Sequence, residues 1–235
     1  KIPQKVPITQ QDFIQLPITK ATIFNALEKA RTQNFHDNLR HRPPIVQLDS
    51  SIRGYIGEVS LKTWFANQNI AFSESNTMNE SENMDIDFTF HGKNRDYNVE
   101  VKTSLVADID KSWDDVLRKR DIKLIRRGTA TIEELSGDLH LQIYFYGHRK
   151  KRDNFLKSLN LNLDLPSHEL YDKMELKNYL GNTYFIGWID KPTLVKQIQS
   201  KSKKTWAFGM REFWLCNLGK EAKKPLGILE YLQGL

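Results

Sequence analysis

The chain has 235 residues, 39% hydrophobic and 27% charged, which is enough to bury a core as one domain, with or without an appendage, and argues against disorder. Its 35 Lys and Arg against 29 Asp and Glu leave a net charge of +6, compatible with a polyanionic partner without requiring one. The single cysteine, Cys216, excludes an internal disulfide framework and a multi-cysteine zinc set and fits a reducing cytosol, while no apolar stretch is long enough to span a bilayer.

Residues 1 to 18 carry Pro3, Pro7 and Pro17 with little periodicity and read as an arm. No charged-then-apolar leader is visible, although a chain opening on Lys1 reads as trimmed at its start. From Thr19, an N-cap type, the residues Ile23, Phe24, Leu27, Ala30 and Phe35 predict an amphipathic helix. The pair Pro43-Pro44 reads as a stop. Over residues 50 to 68, Ile52, Tyr55, Ile56, Val59, Trp64 and Phe65 form one stripe and predict a second helix.

Three strands are predicted next, in IAFSES, DIDFTF and YNVEVKT, the last two separated by the turn-rich residues 91 to 95. A basic helix is expected around Trp113 to Arg127, followed by the strands LHLQIYFYG and TYFIGWID. This order predicts one α/β domain with a mixed sheet over residues 19 to 235.

Within YNVEVKT, Val99 and Val101 point to one face and Glu100 and Lys102 to the other. Most strands of this pattern simply turn their polar face to water. The preceding strand changes that reading, because Ile86, Phe88 and Phe90 alternate with Asp85, Asp87 and Thr89. If the turn centres between Lys93 and Asn94, Asp87 lies opposite Glu100 and Asp85 opposite Lys102, all on one side. Two facing carboxylates repel and raise one another's pKa unless a cation sits between them, and Mg²⁺ is the hard cation that takes carboxylates, waters and phosphate oxygens. Basic runs at residues 118 to 127, 149 to 152 and 201 to 204 flank an acidic island at Glu74, Glu80, Glu82, Asp85 and Asp87, as expected beside a phosphate backbone.

At these residues the chain resembles the PD-(D/E)XK nuclease superfamily, the restriction-endonuclease-like fold. The matching features are an Asp with an apolar strand, a hairpin, and Glu-x-Lys inside an apolar strand, with a glutamate on an upstream helix. Here these are Asp87 or Asp85, then Glu100 and Lys102, and Glu58 within RGYIGEVSLKTWF. The likeness covers roughly residues 50 to 147, with LHLQIYFYG resembling the fold's later strand. It departs at the usual Pro, since Met84 precedes Asp85 and Ile86 precedes Asp87.

The resemblance implies a mixed central sheet flanked by helices and a Mg²⁺-dependent endonuclease for double-stranded DNA, with Mn²⁺ as substitute. Asp87 and Glu100, with the Val101 carbonyl, would hold the metal. Lys102 would orient the attacking water or offset charge in the transition state, Glu58 would complete a second metal site, and Asp85 would serve as charge partner or alternative ligand. A minimal nuclease fold would need only residues of about 50 to 190 as its catalytic core, and the surplus, an N-terminal arm and helix and a C-terminal segment for DNA recognition or dimer formation, favours a sequence-specific type II restriction enzyme, able to form a homodimer, in the cytoplasm of a prokaryotic cell or encoded by a phage. The alternatives are a structure-specific repair, recombination or phage nuclease, and a non-catalytic DNA-binding module.

Other constellations carry less. His36 and His41 are five apart and do not stack as a helical metal pair, and His91 with Asn94 lacks a second histidine. No P-loop or Gly-rich dinucleotide motif occurs. His140, Gln142 and Tyr144 share one strand face and are expected to line the cleft or to be structural. The stretch KSKKTWAFGMREFWL suits nucleic-acid stacking, although Trp206, Phe208, Phe213 and Trp214 are more often core.

Overall fold

A computed structural model of the chain describes residues 7–32, 42–74 and 86–235. The expectations for Phe35, His36, His41, Glu80, Glu82 and Asp85 lie outside these residues. Within the segment read as an arm, β1 (Ile14–Gln15) joins the edge of the main sheet. Thr19 then caps α1 (Lys20–Arg31) by accepting the Thr22 N–H at 3.1 Å, and Ile23, Ala26, Leu27 and Ala30 are buried along one face.

The proline pair opens a helix. Pro44 occupies the first turn of α2 (Pro44–Asn67), where the missing N–H leaves no bond unmade and the fixed φ suits a helix. The helix therefore begins six residues before the predicted one, and Val59 is 40% exposed, outside the buried stripe of Ile52, Ile56, Trp64 and Phe65.

The three predicted strands form as β2 (Phe72–Glu74), β3 (Phe88–His91) and β4 (Asp96–Val106), an antiparallel meander. The basic helix is much shorter than expected. Ser112 caps α3 (Trp113–Lys119), but Arg120 is already extended, and the fully buried Ile122 and Leu124 follow a period of two. That alternation belongs to β5 (Leu124–Arg126), which basic composition had obscured. Next come β6 (Leu139–His148), α4 (Arg149–Ser158), α5 (Ser167–Lys173), α6 (Leu176–Leu180), β7 (Thr183–Asp190) and α7 (Lys191–Gln199). The chain closes with the hairpin β8 (Thr205–Phe208) and β9 (Arg211–Trp214), then α8 (Gly227–Gln233).

The architecture is mixed α/β. A six-stranded sheet runs β1-β7-β6-β4-β3-β2, parallel only between β4 and β6, and a separate three-stranded sheet runs β5-β9-β8. Each face of the main sheet has its own core. On one, Val99, Val101 and Leu105 pack with α1, α2 and α8. There α2 approaches closely at Gly57, where a Cβ would lie 2.4 Å from the Thr103 side chain. On the other, Tyr144 packs with Trp113, Leu124, Trp214 and Ile198, so the small sheet covers that side. Among the described residues no helix is long and apolar enough to cross a membrane.

Candidate active site

The β3–β4 hairpin has the predicted register. Phe88 lies opposite Val99 and His91 opposite Asp96, enclosing Gly92 to Arg95, with the Gly92 N–H bonded to the Arg95 carbonyl at 3.1 Å. One step further along, the same register would set Asp87 across from Glu100. The ladder changes there. The Asp87 N–H donates to the Val99 carbonyl at 2.9 Å, while its side-chain Oδ2 accepts the Val101 N–H at 2.6 Å. The aspartate thus uses its carboxylate as a substitute ladder acceptor, which holds the group against β4.

Glu100 does not face water. It is 5% exposed, because the parallel strand β6 places His140 beside it and His140 Nδ1 lies 2.7 Å from Glu100 Oε2. The other oxygen, Oε1, pairs with Lys102 Nζ at 2.6 Å. Burial alone would raise the Glu100 carboxyl, but the bond to His140 and the Lys102 ammonium outweigh it and hold the group below its ordinary value. Gly137 makes this packing possible. A Cβ there would lie 2.7 Å from the His140 ring and 3.3 Å from the Glu100 Cβ.

Asp87 is in the opposite state. Burial is the main cause pushing its carboxyl up to about 7, with Glu58 and Glu100 adding repulsion and the Val101 N–H and Lys102 opposing. Four sequence-predicted residues, Asp87, Glu100, Lys102 and Glu58, therefore share one electrostatic environment. Glu58 reaches it from α2 and forms an ion pair with Lys62 at 2.8 Å. Asp85 lies outside the described residues.

Behind the site, Gln142 is buried and bridges. It donates to the Lys102 carbonyl at 2.9 Å and to Ser104 Oγ at 3.0 Å, and accepts the Lys123 N–H at 3.2 Å. His140 and Gln142 thus support β4 from beneath, and neither lines an open cleft. Their shared strand face was legible in the sequence; their pairing with Glu100 and Lys102 required the parallel register of β4 and β6.

Several expected phosphate-binding cations are engaged internally. Buried Arg152 grips buried Asp49 at 2.7 Å, which Arg53 also contacts at 3.1 Å. Arg120 pairs with buried Asp110 through two bonds of 2.7 and 2.8 Å. These residues answer to interior carboxylates.

Comparisons with protein-family models, curated proteins and solved structures found no match. Among the described residues no group of three or more His, Cys, Asp or Glu side chains is arranged as a metal cage. Mg²⁺ does not require one, since it binds through one or two carboxylates and completes its shell with water and phosphate oxygens. The donor chemistry of Asp87 and Glu100, hard oxygens in a cluster where burial and like charge lift Asp87, fits such an ion.

Proposed function

We infer that the protein is a Mg²⁺-dependent endonuclease that hydrolyses phosphodiester bonds of double-stranded DNA, in the manner of the PD-(D/E)XK enzymes its motif resembles. The observation that carries this reading is the convergence of Asp87, Glu100 and Lys102 at the end of the β3–β4 ladder, within the field of Glu58.

Asp87 and Glu100 are the residues that would hold the cation, with the Val101 carbonyl and Glu58 as further oxygen donors. The bound ion supplies a polarised phosphate and a water of lowered pKa. Lys102 has two tasks in this reading. It keeps Glu100 ionised, and its ammonium orients the attacking water or offsets negative charge in the transition state. His140 fixes the Glu100 carboxylate from behind, as an outer partner of a ligand does. Residues outside the core sheet would serve DNA recognition, sequence-specific cleavage and pairing of two copies.

The test is incubation with plasmid and Mg²⁺ against a chelator control, with Lys102→Ala and Glu100→Ala beside the parent. Cleavage should require metal and vanish in both variants while DNA binding survives. Undiminished cleavage by both would place the chemistry elsewhere. Discrete fragments would favour restriction, whereas cutting confined to flaps or junctions would favour a structure-specific enzyme.

A further inference from the structure

We propose that the β8–β9 hairpin enters a groove of double-stranded DNA, with Phe208 and Met210 against the base pairs and Lys203, Lys204 and Arg211 on the flanking phosphates. This rests on DNA being the substrate, as above.

The hairpin is built to hold an apolar tip in water. Phe208 faces Arg211 across the last pair, and Gly209 and Met210 form the two-residue loop. Gly209 has φ +60°, as the first loop position of a type II′ turn requires, and a Cβ there would meet nothing within 4 Å. Met210 is 89% exposed and Phe208 49%, at positions where hairpin loops ordinarily carry polar residues.

The base of the ribbon is rigid. Trp206 stacks on Phe213 with ring centroids 4.7 Å apart, and Trp214 and Leu124 anchor β9 and β5 in the second core. Exposed cations run along the ribbon, with Arg211 at the tip and Lys203 and Lys204 at the base, just before Thr205, which pairs with Trp214. Glu212, the one carboxylate between Lys203 and Trp214 in the sequence, pairs with Arg126 at 2.7 Å. An apolar tip on a ribbon that carries cations matches a duplex groove, whose walls are phosphates and whose floor is stacked bases.

Position supports the same partner. The small sheet covers the face of the main sheet that carries Glu100 and Lys102, and Lys123, just before β5, is bonded to Gln142, the register partner of Lys102. The β5–β9 pairing sets Trp214, at the base of the hairpin, against Leu124, so the ribbon is rooted beside the strands of the site. The major groove admits a two-stranded ribbon, and Phe and Met are side chains that wedge against base steps.

The experiment measures binding of the full chain to a labelled duplex over a range of salt, in a Lys102→Ala background that does not consume the DNA. Phe208→Ser with Met210→Ser should weaken binding by about tenfold or more and leave the salt slope unchanged, because the lost contacts are apolar. Replacing Lys203, Lys204 and Arg211 by Ala should reduce the slope by about two to three, near one counterion per contact. Thermal midpoints of both variants, taken without DNA, separate loss of contact with DNA from loss of fold. Binding of the apolar variant within about twofold of its parent would overturn the proposal. So would a parent dimer that this variant dissolves with DNA affinity intact, which would make the tip a self-contact. A parent that binds duplex but never cleaves with Lys102 restored would defeat the nuclease reading and leave the hairpin measurement standing; a parent that binds no DNA would defeat both.

Discussion

Replacing Asp87 by Asn separates the cost of the site from its use. The carboxyl titrates at about 7 in the fold, against an ordinary value of 3.8, mainly because it is buried, with Glu58 and Glu100 adding repulsion. A carboxyl raised in this way favours folding in its protonated form. Its contribution is fully present below pH 3.8 and is lost as pH climbs to 7. Full ionisation would cost about 4 kcal/mol at pH 8, and partial solvent access reduces that to about 2 kcal/mol. Asn keeps an oxygen to accept the Val101 N–H but carries no charge. Without metal, the Asp87→Asn protein should therefore melt about 4–8 °C higher than the parent at pH 8 and level with it at pH 4. Mg²⁺ should then raise the parent, by about 2.7 kcal/mol at a hundredfold excess over its dissociation constant, and leave the variant unmoved. Thermal denaturation at both pH values, with chelator or Mg²⁺, reads all of this without an activity assay. A variant less stable at pH 8 in chelator, or Mg²⁺ raising both proteins equally, would refute the reasoning.

Two glycines on α2 should respond oppositely to Ala. Gly57→Ala puts a methyl 2.4 Å from Thr103 and should lose about 1–3 kcal/mol, whereas Gly54→Ala meets nothing and should gain about 0.5–1 kcal/mol, both read by denaturant titration. On the basic segment, Arg118→Ala with Lys119→Ala should flatten the salt dependence of DNA binding if α3 touches phosphates, with the fold intact, because both pair with Asp115 at the surface. Arg120→Ala is a different perturbation. It strands the buried Asp110 carboxylate and should cost about 3 kcal/mol of stability whatever the DNA does. In plasmid cleavage, Asp85→Asn should keep measurable activity and Asp87→Asn none, since the Asp87 carboxylate is held against β4 within the field of Glu100; the reverse outcome would assign the ligand to Asp85.

The β3–β4 register was legible from Phe88 to His91 because both strands alternate with period two and a four-residue turn joins them, whereas the ladder departs from it at Asp87 and Asp85 lies outside the described residues. The burial of Glu100 was not legible. It depends on His140, forty residues later, arriving on a parallel strand, and on Gly137 leaving room for its ring. Composition misled in two places. The basic character of residues 118 to 127 suggested one helix and masked the alternation of Ile122 and Leu124, and the runs containing Arg120 and Arg152 read as surface although each binds a buried carboxylate. The aromatic C-terminal stretch divides, with Phe213 and Trp214 buried and Phe208 exposed, a split determined by strand pairing that periodicity over so few residues does not reveal.

The same dependence on distant strands accounts for how the site can tolerate its charges. Glu100 has its own bonded partners, a histidine behind and a lysine beside it, which hold its carboxyl below its ordinary value against burial. The Asp87 carboxylate accepts a backbone N–H, and this bond with the Lys102 charge opposes but does not overcome burial and the nearby carboxylates. If the hairpin served only to complete a sheet, a neutral side chain at residue 87 could make that bond without the electrostatic penalty. The asymmetry assigns different parts to the two groups in the proposed chemistry. Glu100 is the prearranged ligand, ready before any cation arrives. Asp87 is the group whose ionisation a cation would favour, so under the proposed function the stability lost by carrying it in the free protein would be recovered on metal binding.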